Sequence, residues 1–66
     1  MIENVQQLRV TMQQMERLFH ALEDLRQTVL PKNPKLFATL AEGPLDDLQR
    51  LRSDVDNFIH QLQPTA

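Results

Sequence analysis

The chain carries two histidines, His20 and His60, and no cysteine, so it has imidazole but no thiolate to offer a metal. Glu16 stands one helical turn before His20, a spacing compatible with joint ligation. A metal site would still need the two histidines to converge with carboxylates such as Glu16 or Glu23. Their helical positions point outward instead, and two solvated histidines are expected. Glu23-Asp24 and Asp46-Asp47 are adjacent carboxylates. Neighbouring helical positions do not face one another, so neither couple makes an acid/base pair. Their expected roles are solvation and, for Asp46 and Asp47, complementing the positive end of a helix dipole. No HExxH, EF-hand loop, phosphate loop or nucleophile elbow is present. The single glycine, Gly43, leaves no phosphate-cradling loop. The expectation is a protein that is not an enzyme, with no catalytic, cofactor-binding or metal residues.

Length limits what can be built around these side chains. Sixty-six residues make one small domain, 1–66. A chain of this size buries about 60% of its unfolded surface, so a lone core is marginal. Small domains compensate with disulfides, a metal or oligomerisation. Without cysteine the first is closed, and oligomerisation leads. The absence of cysteine also fits a reducing, cytoplasmic setting. Net charge is -2, with Lys and Arg scattered along the chain. Phosphate neutralisation needs clustered positive charge, so nucleic acid is not an expected partner. Nor is a membrane: no basic start leads into an apolar run, and nothing approaches the roughly 20 apolar residues of a membrane span. The compact style is that of a bacterial cytoplasmic protein.

Val5, Leu8, Met12, Met15, Phe19 and Leu22 alternate in steps of three and four, as do Leu48, Leu51, Val55, Phe58 and Leu62. Each set lies on one helical stripe of coiled-coil type. Asn4, followed three residues later by Gln7, resembles a capping box and starts a helix over residues 4–28. Thr11 with Gln14 is a competing start. Thr28 and Val29 before Pro31 end the helix. Asn33-Pro34 reads as N-cap and N1 of a short connecting helix, 34–42, which Gly43 and Pro44 terminate. A last helix, 44–62, follows, with an exposed Asp46-Arg50-Asp54 ladder and a loose tail, 63–66. The fold class is all-α: an antiparallel helical hairpin with a short connecting helix.

Heptad letters carry the argument to assembly. Val5, Met12, Phe19 and Arg26 take a on the first helix; Leu8, Met15, Leu22 and Val29 take d. Leu18 and Leu25 then fall at g. On the last helix Leu45 and Ile59 fall at e. Surplus apolar residues are thus expected on opposite sides of the a/d seam, which a four-helix bundle covers and a two-helix hairpin does not. Folding about residue 37 sets Phe19 level with Val55 and leaves Ile2, Val5 and Leu8 beyond the partner helix. Arg26 snorkels or pairs with a carboxylate such as Asp47. The expected assembly is a homodimeric four-helix bundle with Val5, Leu8, Met12, Met15, Leu18, Leu25, Leu45 and Ile59 at the interface. Met12, Met15 and Phe19 are expected in bundle core, although Met-rich patches also receive partner helices.

Met1-Ile2, Asn4, Gln7-Leu8-Arg9-Val10-Thr11 and Gln14 resemble the opening of short bacterial antitoxin-like proteins and of uncharacterised small helical proteins with a similar start. The resemblance implies self-association or toxin contact through Leu8, Val10 and Thr11. The antitoxins' helix-turn-helix is not matched, since the last helix is one amphipathic stretch. The leading expectation is a small non-catalytic protein–protein interaction or oligomerisation module, with itself and an unidentified protein as partners. Alternatives are an antitoxin-like regulator binding a toxin, and a bundle binding a metal or small ligand through its histidines.

Overall fold

The computed structural model describes residues 1–62; the expected tail at 63–66 lies outside the described residues. Two helices, α1 (Val5–Thr28) and α2 (Pro34–Leu62), pack against each other as a hairpin, with no strand among the described residues. Asn4 is the N-cap of α1: its backbone is extended and its side chain accepts a hydrogen bond from the Gln7 N–H at 2.9 Å. Gln7 Oε1 reaches back to accept from the Glu3 N–H at 2.6 Å. Two otherwise orphaned donors are thereby satisfied. Thr11 is not a cap; its hydroxyl donates to the Gln7 carbonyl one turn back.

The turn is short. Val29 and Leu30 both donate to the Leu25 carbonyl, and Lys32 and Asn33 both donate to that of Val29. Asn33 then opens α2, its Oδ1 accepting from the Leu36 N–H at 3.0 Å, with Pro34 behind it at N1.

Two expectations are corrected here. There is no separate connecting helix at residues 34–42 and no new helix start at 44, because α2 runs through Gly43 and Pro44. The hairpin therefore folds at residues 29–33 rather than about 37. The reason is visible in the spacing. Phe37, Ala41, Pro44, Leu48, Leu51, Val55 and Phe58 form one alternation of four and three, in phase across the proline. A proline inside a helix costs about 3 kcal/mol. Burying each large side chain of the stripe returns roughly 1.5–3 kcal/mol, so continuity wins. Gly43 helps locally. It lacks the Cβ that crowds a following proline in a helix, and its φ is not positive, so it acts as helix and not as a C′ stop.

With the early turn, α1 has 24 residues and α2 has 29. No part of α1 outruns α2, and Ile2, expected to overhang, is only 4% exposed. Ala41, Leu48, Leu51 and Phe58 complete the buried set; all four come from α2, and α1 has no fully buried residue.

The half-buried residues of α1 and its C-cap include Leu8, Thr11, Met15, Leu18, Leu22, Leu25 and Val29. They too alternate by three and four, so the seam is the d/g stripe, not the expected a/d stripe. Choosing d/g keeps Arg26 off the seam, and charge burial is avoided. Arg26 pairs with Glu23 of its own helix, not with Asp47. Asp47 instead lies 3.8 Å from Arg50, and the expected Asp46-Arg50-Asp54 ladder is absent among the ion pairs of the described residues. Asp46 and Asp47 sit mid-helix.

Replacing Pro44 with Ala restores a backbone donor to the Leu40 carbonyl. A gain of about 1–2 kcal/mol is expected: the roughly 3 kcal/mol propensity difference, less burial lost from the half-buried ring. Thermal melts followed by circular dichroism check this, and a lower melting temperature would contradict it.

Candidate functional site: an open apolar face

Shifting the seam to d/g leaves the a row of α1 without cover. Val5, Met12 and Phe19 are 72%, 56% and 57% exposed. On α2 the corresponding leftover row is Leu45, Arg52 and Ile59, with both apolar members exposed. Met15, Phe19, Leu48, Gln49 and Arg52 line one surface cleft, so these rows flank the same side of the seam. The expectation of surplus apolar residues on opposite sides is corrected accordingly.

The reverse side is more polar. Gln14, Arg17, Asp47 and Arg50 surround Leu18 and Leu51 there, and Gln6, Gln7, Gln14 and Asp54 border Ile2 and Val10. Towards the turn, Leu36 and Leu40 form a smaller exposed pair.

The expected interface residues thus divide in two. Val5, Met12, Leu45 and Ile59 lie exposed on the open face. Leu8, Met15, Leu18 and Leu25 are half-buried in their own chain's seam. Phe19, absent from the expected set, belongs with the first group. Its signal was present: it continues Val5 and Met12 in steps of seven. Of the residues carrying the N-terminal resemblance, Leu8 and Thr11 face the seam while Val10 is exposed beside Gln6, Gln7 and Asp54.

The histidines do not converge. His20 is exposed on α1, bordered by Gln13, Glu16 and Arg17. His60 is exposed near the end of α2, its Nδ1 2.8 Å from the Asp56 carbonyl, which makes Nδ1 the protonated donor. No group of three or more His, Asp or Glu able to hold a metal ion occurs among the described residues. No described helix is long and apolar enough to cross a membrane.

Among the described residues, Glu23 has a strongly perturbed carboxyl. It accepts from Arg26 Nε at 2.8 Å and from Gln27 Nε2 at 3.1 Å. The Arg26 hydrogen bonds, then that of Gln27, pull its pKa from 4.5 down to about 2. Glu23 in turn raises Arg26 above its ordinary value. This is a helix-surface clamp at the edge of the open face, not a reactive pair. No family model matches the chain, and no curated protein or solved structure matches it either.

Because the folded pKa is depressed, the clamp is intact above the ordinary carboxylate range and is lost as pH falls through about 2. Carbon-detected NMR titration should find Glu23 ionised at pH 3.5. In Arg26→Ala the same carboxyl should return towards its ordinary value. Helix content at neutral pH should barely change, since exposed ion pairs contribute little.

Proposed function

We propose that this chain is a small non-catalytic protein–protein interaction module that self-associates as a homodimeric four-helix bundle. The observation that carries the reading is unspent surface. The chain exposes 5398 Å². A globular monomer of 7.7 kDa exposes about 4,300 Å² by the usual scaling. Its radius of gyration is 15.1 Å, against about 11 Å for a compact chain of this length. Two helices shield a seam from each other but not from the sides, so no side chain of α1 is fully buried.

A second hairpin supplies the missing neighbours. Each helix of a four-helix bundle has two, which suits an apolar stripe three positions wide. On α1 that stripe is a, d and g together. The surplus of roughly 1,100 Å² exceeds the roughly 800 Å² that each partner contributes to a standard stable interface.

Light scattering should give twice the 7.7 kDa chain mass at micromolar concentration. The melting temperature should rise with protein concentration, as mass action requires of a coupled dimer. A single-chain mass with a concentration-independent melt refutes the proposal.

A further inference from the structure

We infer that the second copy docks on the open face with its turn at the same end, so that α1 of each chain lies along α2 of the other. This rests on the self-association proposed above and specifies its geometry. The levels of the two helices follow from the clefts they share. Arg17 and Asp47, with Gln14 and Arg50, line one cleft, and Thr11 and Asp54 line another. Carrying that register along the rows puts Val5 level with Ile59, Met12 with Arg52 and Phe19 with Leu45.

A two-fold axis can bring this face onto itself in two ways. An axis parallel to the helices sets α1 against α2 of the second copy and preserves those levels. Val5 meets Ile59 of the other chain, Phe19 meets its Leu45, and Met12 meets the alkyl stem of its Arg52. Asp56 stays 4.0 Å from the Arg52 guanidinium on the same helix, so the charge enters with a carboxylate beside it. All adjacent helices are then antiparallel.

An axis across the helices sets like against like. Centred on the apolar rows, it stacks Met12 on Met12 but also Arg52 on Arg52, and opposed like charges are strongly disfavoured at an interface. A half-heptad slide separates the arginines, but towards the turn it brings Val5 to Arg26 and takes Ile59 off Leu45, and away from the turn it takes both Phe19 and Leu45 off the apolar rows. Arg52 is thus the residue that selects the parallel axis, because it is the one charge in the middle of the face.

The chain has no cysteine, so Lys32→Cys, in the exposed turn, gives a unique spin-label site. With turns at one end, the two labels lie roughly 10–30 Å apart, one or two helix spacings plus the label arms. With turns at opposite ends they lie about 50–60 Å apart, twice the 1.5 Å rise over the residues from the rows' centre to Lys32. Dipolar spectroscopy reads the difference directly, with the mass measured on the same sample. A dimer with the short distance supports the inference. A dimer with the long distance overturns it and leaves self-association standing. A monomer overturns both.

The choice of face has its own control. Phe19→Asp should weaken dimerisation at least a hundredfold by sedimentation equilibrium. Val10→Asp, an equally drastic change at an exposed apolar residue of the reverse side, should alter it less than threefold. Equal effects from the two would remove the interface from the open face.

Discussion

The unbroken stripe of α2, in phase from Phe37 to Phe58 through Pro44, is the constraint on which the rest of this structure depends. If the helix stopped at the proline, the hairpin would fold later and α1 would project past its partner. Because it does not stop, the turn falls at residues 29–33 and α2, at 29 residues, is long enough to accompany all 24 of α1. Ile2, before Asn4, is buried at the open end. A single helix-breaking residue is overridden because its penalty is local, while the stripe collects burial along the whole helix.

The same constraint determines what is left over. Two helices in contact can bury only one seam, and this sequence carries apolar residues for more than one. On α1 the a, d and g positions all qualify. The hairpin uses d and g, where Thr11 is the only polar member, and leaves a, where Arg26 stands. The Glu23–Arg26 clamp keeps that arginine on the helix surface. The open face is therefore not a separate feature added to the fold. It is the remainder of a stripe wider than the one seam of the hairpin covers. The shallow, solvent-open clefts along it, such as the one between Phe19 and Arg52, are spaces between side chains on a helical surface.

Local signals in the sequence were legible where the physics is local. Asn4 with Gln7, and Asn33 with Pro34, specify caps through side chain-to-backbone bonds spanning three or four residues, and both form. The three-four periodicity specified two amphipathic helices and a hairpin, because a helix must bury its stripe on something. Gly43-Pro44 misled for the same local reason. Read alone it is a stop signal, and only the phase of the residues on either side shows that the helix continues.

By itself, then, the sequence determined the helical class, the helix starts at Asn4 and Asn33 and the excess of apolar positions, all consequences of spacing along one chain. Which of two overlapping stripes on α1 became the seam was decided by the tertiary structure. The a/d and d/g patterns share Leu8, Met15, Leu22 and Val29, so periodicity cannot separate them. The register of α2 and the cost of burying Arg26 can. That choice moved Leu18 and Leu25 inward, left Val5, Met12 and Phe19 in the open, and brought them to the same side as Leu45 and Ile59. Whether leftover rows share a face depends on how two helices are rotated against each other, and that rotation exists only once they have packed.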